Sequence, residues 1–107
     1  MTTKVTDHPD KERYELRLDD EVVGTLEYRG RRQLRALTET EILPAYEGQG
    51  LGTRLIQGAL DDLRARGGIK ISPVCPFVRA FLGKHPEYLD LVDEGARSAF
   101  GLQPAPR

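Results

Sequence analysis

Pro44-Ala45-Tyr46-Glu47-Gly48-Gln49-Gly50-Leu51-Gly52-Thr53 decides how this chain is read: three alternate glycines stand between a strand-like run and a helix-like run. With no Cβ at those positions the backbone can take φ > 0 and come close to a ligand. The amides of the turn and of the first helical turn then point outward, with the positive end of the helix dipole behind them. Such a turn holds a phosphate without a basic side chain. A plain strand-to-helix connection has the same composition, so the neighbouring sequence has to choose. Spacing excludes two familiar phosphate loops. A P-loop ends in Gly-Lys-Ser/Thr, whereas Gly52 is followed by Thr53 and Arg54. A dinucleotide fingerprint counted from Gly48 and Gly50 needs Gly or Ala at position 53, and an acidic residue about 20 positions on, where the region around Ile71 is apolar.

Upstream of the turn, Tyr14, Leu16 and Leu18 alternate with Arg13, Glu15 and Arg17 as in a half-buried strand, and Asp19-Asp20-Glu21 turns the chain. Val22, Gly24, Leu26 and Tyr28 line one face of a second strand, which ends at the turn Arg29-Gly30-Arg31-Arg32. A third strand, from about Gln33 to Leu43, places Leu34, Ala36, Thr38, Thr40 and Ile42 on one face and Leu37, Glu39, Glu41 and Leu43 on the other. Glu39 and Glu41 therefore share a face at a separation of ~7 Å. They are either candidate general bases for an ammonium substrate, each raising the other's pKa, or an exposed acidic face.

Downstream, Leu51, Leu55, Ile56, Ala59, Leu60 and Leu63 recur at helical spacing until Gly67-Gly68, and Ile69-Lys70-Ile71-Ser72 reads as a strand parallel to the one before the turn. Pro76 opens a second helix whose stripe Phe77, Val78, Phe81 and Leu82 reads as core, closed by Gly83-Lys84-His85-Pro86. Residues 1–11 read as loose and 93–107 as a flexible tail, which leaves a single domain with an ordered core of about 12–92.

The chain has 107 residues and a formal net charge of -1, with 16 basic and 17 acidic residues interspersed, so no global field draws it to nucleic acid or to an anionic membrane. Cys75 is the one cysteine, which excludes an internal disulfide. The start lacks the apolar segment of a signal peptide, and no run approaches the ~18 apolar residues of a membrane span, so a cytoplasmic protein is expected. No metal-ligand set is assigned.

Glu47 to Gly52 resembles the pyrophosphate-binding motif of the GNAT acetyltransferases, Gln/Arg-x-x-Gly-x-Gly/Ala, which ends a strand and opens a helix. Together with Thr40-Glu41-Ile42, Pro73-Val74-Cys75-Pro76-Phe77-Val78 and Lys84-His85-Pro86-Glu87-Tyr88, it looks like the small stand-alone GNAT-like domains of about a hundred residues. The similarity runs from about Tyr14 to Val92.

The resemblance implies an α/β GNAT-like fold: an antiparallel meander, then strand, glycine turn, helix, parallel strand and helix. It implies acetyl-CoA as cofactor and a primary amine as acceptor, on a protein, a peptide or a small molecule; the alternative is a non-catalytic acyl-CoA-binding or regulatory module. Acetyl-CoA would lie where the strand ending at Leu43 splays from the strand starting at Ile69, with backbone groups of Ile42 and Leu43 near the acetyl and pantetheine arm. Gly48, Gln49, Gly50, Leu51, Gly52 and Thr53 would hold the pyrophosphate, and Lys84 a CoA phosphate. Three positions depart from the larger family pattern. Glu47 replaces Gln or Arg, Leu82 stands where a tyrosine general acid is common, and Glu39 stands where this small family often has histidine. Cys75 falls where larger members have an asparagine facing the pantetheine arm. At a helix N-terminus it is either a nucleophile that takes the acetyl group or a small residue lining the cleft.

Overall fold

Alternating sequence builds one sheet, and helical periodicity covers one face of it. In the computed structural model, which describes residues 2–31 and 33–102, the strands β1 (Thr3–His8), β2 (Arg13–Leu18), β3 (Glu21–Arg31), β4 (Leu34–Ile42) and β5 (Lys70–Pro73) lie in that order. β1 to β4 are antiparallel. β4 and β5 are parallel, as the crossover through helix α1 (Leu51–Arg66) requires. Helix α2 (Pro76–Lys84) follows β5, so the order is the expected meander, glycine turn, helix, parallel strand and helix.

The core lies between the sheet and α1. Tyr14, Leu16, Leu26 and Leu37 on the strands meet Leu55, Ile56, Ala59, Leu60 and Leu63 of the helix, all fully buried. Each leucine or isoleucine removed from water there contributes about 1.5–3 kcal/mol. Val78, Phe81 and Leu82 bring α2 onto the same core. A 3-10 segment, Pro86–Leu91, adds Tyr88, Leu89 and Leu91, with the Tyr88 hydroxyl donating to Asp61 of α1 at 2.7 Å.

Both chain ends depart from the sequence reading. The segment 1–11 reads as loose, yet Thr3–His8 forms the edge strand β1, paired from Thr3 opposite Leu18 to His8 opposite Arg13. An edge strand needs only one inward face, and here that face carries Val5, packed on the core, and Asp7. The Asp7 carboxylate is buried but satisfied, accepting from the Tyr28 hydroxyl at 2.7 Å and pairing with Arg35 at 3.1 Å and Arg66 at 3.3 Å. Polar composition therefore hides a packed strand. At the other end, the expected floppy tail contains helix α3 (Glu94–Ala99), capped by the Asp93 side chain, with Ala96 buried. The Asp93 amide donates to the Ile71 carbonyl at 2.8 Å, which fastens this helix to the far edge of β5. Residues 103–107 of the expected tail and Arg32 of the expected basic turn lie outside the described residues. Arg29 itself is within β3.

Two β-bulges also change which residues face inward. Leu16 pairs with Gly24 and Arg17 with Val22, so Val23 is the extra residue and is fully buried in place of Val22. On β4, Glu27 pairs with Glu39 and Tyr28 with Leu37, which leaves Thr38 unpaired. The strict alternation expected along β4 breaks there: Leu37 is buried inside, Leu34 is exposed, and Thr40 and Ile42 keep the inner face. Glu39 and Glu41 still share a face, the outer one. Among the described residues no helix is long and apolar enough to cross a membrane.

Candidate functional site

Where β4 parts from β5, the sheet opens. β5 pairs with β4 only from Leu34 opposite Lys70 to Leu37 opposite Pro73, and one further bond, from the Cys75 amide to the Leu37 carbonyl at 2.8 Å, closes the contact. Pro73 and Pro76 contribute no N–H to extend the ladder. Beyond Leu37, β4 is bonded to β3 alone. The Leu43 amide donates to the Val23 carbonyl at 2.9 Å, so by antiparallel alternation Glu41 also bonds toward β3. Thr40 and Ile42 turn their backbone N–H and C=O groups to the opposite edge, into the gap. Of the two backbones expected there, Ile42 has its polar groups free and Leu43 has its amide engaged.

The chain then makes one 3-10 turn, Pro44–Tyr46, and enters the glycine turn. Gly48 has φ +81° and Gly50 φ +74°, the left-handed region that favours glycine, and space beside both is open to 4 Å from any Cβ that would be added. Glycine is therefore required there by conformation. Gly52 lies close to Phe77, so that a Cβ there would stand 2.9 Å from the tip of the ring and the ring would have to shift. Gly50 caps α1 with no side chain to occupy the helix end, and the first turn holds no acidic residue. Among the described residues the amides of Leu51, Gly52 and Thr53 have no side-chain acceptor and, as first-turn groups, no partner within the helix. They converge with the positive helix end on one place.

A cavity of about 430 Å³ joins the two features. Thr40 and Ile42 form one wall and Gly48, Gly50, Leu51, Gly52 and Thr53 the other, with Tyr46, Glu47 and Phe77 at its margins. Gln49 is exposed and lies outside this lining. A second cavity of about 180 Å³ shares Thr53 and Phe77 with the first and continues to Ala80, Phe81, Lys84 and His85. Lys84, exposed and without an ion-pair partner among the described residues, thus stands one cavity beyond the turn. On the outer face, a third depression of about 290 Å³ holds Glu41 and Leu43 with Glu27, Thr25 and Arg13. Glu39 is exposed on that face, opposite Glu27, and lines none of the three cavities.

Cys75 caps α2 from a buried position, 4% exposed, behind Thr40. Its Sγ lies 3.3 Å from the Thr40 Oγ1, and no backbone amide of α2 donates to it. Leu82, at the family's tyrosine position, is fully buried and presents no hydroxyl. Nor do the described residues contain a group of three or more His, Cys, Asp or Glu side chains arranged to hold a metal ion.

Three residues of this site escape the sequence reading. Thr40 looks like one more strand residue until the bulge at Thr38 keeps it inside. Tyr46 lines the cavity with its hydroxyl donating to Glu21 at 2.7 Å, a contact across 25 positions. Phe77 reads as core but is 48% exposed, and helical spacing carried a usable signal. The buried stripe runs Val78, Phe81 and Leu82, so Phe77 falls one position out of phase and in line with Ala80 and Lys84.

Comparison with known proteins agrees with this geometry. The family model of the GCN5-related N-acetyl-transferase matches residues 13–91. A GCN5-like protein from Staphylococcus aureus, solved by NMR, has the same fold: TM-score 0.62 at 18% identity, over 84% of this chain and 87% of that one. A search of curated proteins gives no match. The matched residues take in β2 to β5, the glycine turn, α1 and α2, and so every element that frames the open edge of β4: the chain belongs to the GCN5-related N-acetyltransferase family and is an acetyltransferase.

Proposed function

We propose that this domain is an acetyl-CoA-dependent N-acetyltransferase that acts on a primary amine. One observation carries the reading: left-handed glycines and unpartnered first-turn amides open onto the same cavity as the free edge of β4. The amides of Leu51, Gly52 and Thr53 suit a pyrophosphate, and Lys84 a further phosphate. Acetyl-CoA, when bound, supplies the acyl group as an activated thioester. Thr40 and Ile42 offer backbone donors and acceptors along the arm and at the carbonyl, where a fixed amide is worth most in a site shielded from water. On the outer face, the Glu41 carboxylate accepts a proton from the acceptor ammonium, directly or through water, and leaves a neutral nitrogen to attack; Glu39 supports the same negative field. With Leu82 in place of a tyrosine, the departing thiolate takes its proton from solvent. The lone cysteine, unpaired, fits a cytoplasmic setting.

The buried Leu82 also favours a second reading, a non-catalytic acyl-CoA-binding module. Turnover separates the two. Calorimetry is expected to show CoA binding, and mass spectrometry to show gain of one acetyl group on candidate amines incubated with protein and acetyl-CoA. Binding without any acetylated amine supports the module. Gly50→Val, which forces a branched side chain into φ +74°, is expected to weaken CoA binding at least 100-fold, and Glu47→Gln to leave it equal or tighter. Unchanged CoA affinity in folded Gly50→Val removes the phosphate-seat reading.

A further inference from the structure

We propose that the acceptor is an aminocarboxylate, a primary amine that carries a carboxylate on a short aliphatic spacer, and that Arg13 on the outer face of the sheet holds that carboxylate. The inference rests on the acetyl-transfer reading of the site and names the class of its second substrate. Helices α1 and α2 pack on the inner face, and β1 passes into β2 through a single 3-10 turn, Pro9–Lys11, so no helix is inserted there over the outer one. Register sets His8, Arg13, Glu27 and Glu39 in one row across β1 to β4, and Thr6, Glu15, Thr25 and Glu41 in the next. The face is thereby divided by charge.

On β1 and β2 the cations gather about one carboxylate. Glu15, 2% exposed, has Arg13 at 2.7 Å, His8 at 3.1 Å, Arg17 at 3.7 Å and Lys11 at 4.0 Å. Three permanent cations to one carboxylate leave that half positive. Arg13 stands directly across from Glu27, yet its Nε and Nη2 both donate to Glu15, at 2.9 and 2.7 Å, and its Nη1 has no acceptor among the described residues. On β3 and β4, the side chains of Glu27, Glu39 and Glu41 have no ion-pair partner among the described residues, which leaves the other half negative. The depression of about 290 Å³ lies across the boundary, with Arg13 on its β2 side, Glu41 on its β4 side, Thr25 and Glu27 between them, and Val22 and Leu43 as apolar lining. β2 and β4 are two strand spacings apart, about 10 Å. Side chains reaching in from both shorten that span to one that a short chain fills, with an ammonium at one end and a carboxylate at the other. Glu41 takes the ammonium beside the free edge of β4, and Arg13 takes the carboxylate through Nη1. A simple monoamine leaves the guanidinium unused, and a polyamine sets a second cation against it.

The test uses acetyl-CoA and three amines of one length: 6-aminohexanoate, hexylamine and 1,6-diaminohexane. Wild type is expected to favour 6-aminohexanoate over each of the others about tenfold in kcat/KM. In Arg13→Gln the preference over hexylamine should fall to within twofold, and Arg13→Lys should restore part of it. A ratio of two substrates within one variant does not depend on the fraction folded, so loss of stability in Arg13→Gln does not mimic the result. The same chemistry occurs where a lysine in a peptide has an acidic neighbour. Two lysine peptides, one with acidic and one with basic neighbours, tell that source from a free aminocarboxylate, and a preference for the carboxylate in either set supports the proposal. No such preference in either set, or a full preference in Arg13→Gln, overturns the assignment and leaves acetyl transfer standing. Failure of the wild type to acetylate any of these amines overturns both readings together.

Discussion

The two halves of β4 differ in almost everything except sequence character. From Leu34 to Leu37 the strand is bonded to β3 on one side and β5 on the other; from Thr38 to Ile42 it has β3 alone. The closed half is locked by Arg35, which lies 3.1 Å from Asp7, donates to the Tyr14 hydroxyl at 3.0 Å and stacks 4.4 Å above the Tyr28 ring. Among the described residues the open half has one side-chain link across the gap, Thr40 to Cys75. One strand thus serves as frame at one end and leaves backbone groups unpaired at the other, and the boundary is made by a bulged threonine and a proline. The cleft needs no special side chain. It needs a strand that loses a neighbour, so that backbone groups are left for a ligand, and stability and binding become separable properties of the two halves.

The sharpest way to break that separation is at Asp7. Asp7→Ala leaves Arg35, a largely buried cation, without its carboxylate, and is expected to destabilise the fold by about 3 kcal/mol in urea unfolding. CoA affinity per folded molecule should stay within twofold; a larger loss shows that the halves are coupled. The same cluster gives a pH signature. Burial, and next the Asp7 charge, raise the Tyr14 phenol well above its ordinary value; burial, and next the hydrogen bond to Asp7, raise that of Tyr28. Groups raised in the folded state contribute stability that is complete below the unfolded pKa of about 10 and is lost as pH climbs past it. The thermal midpoint should therefore fall between about pH 10 and 11, less so in Tyr28→Phe.

The open half is probed by Glu41→Gln. Turnover is expected to drop at least tenfold with CoA affinity unchanged, because the variant removes the carboxylate proposed to accept the proton on the outer face and touches neither the turn nor the free edge. Glu39→Gln, farther from the outer depression, should cost only a few-fold. If neither variant lowers turnover by more than that, both carboxylates are surface charge and the amine loses its proton to bulk water.

Legibility followed the same division between local and distant causes. The glycine turn, α1, β5 and α2 could be read because φ > 0, helical period and proline stops are written into a few adjacent residues. The inner face of β4 could not, since the bulge at Thr38 leaves no mark in composition yet exchanges the faces on either side of it. β1 was hidden for another reason: Asp7 looks like a solvent residue until Tyr28, Arg35 and Arg66, from three other elements, are brought to it. Helix α3 depends on Ile71 in the same way. Within the site, the turn was legible and Ile42 was expected at the gap from the resemblance, whereas Thr40 was missed and Leu43 has its amide engaged, because which amides a strand leaves unpaired is decided by its neighbours.

Cys75 gives the smallest expected effect and the clearest statement about the chemistry. A thiol that takes the acetyl group has to reach the thioester carbon and be held as thiolate. Here Cys75 is 4% exposed, its Sγ stands behind Thr40 and receives no amide from α2, whose first residue, Pro76, has none to give. On the proposed reading the amine attacks the thioester carbonyl directly, and Cys75 stays behind Thr40 without taking part. Cys75→Ala is accordingly expected to keep turnover within about twofold and to cost about 1 kcal/mol of stability for the small void. Incubation of the wild type with acetyl-CoA and no acceptor should leave the intact mass unchanged. A gain of one acetyl group that hydroxylamine removes, together with loss of activity in Cys75→Ala, would overturn direct attack. It would also add a covalent step at the N-terminus of α2, across the gap from the open half of β4.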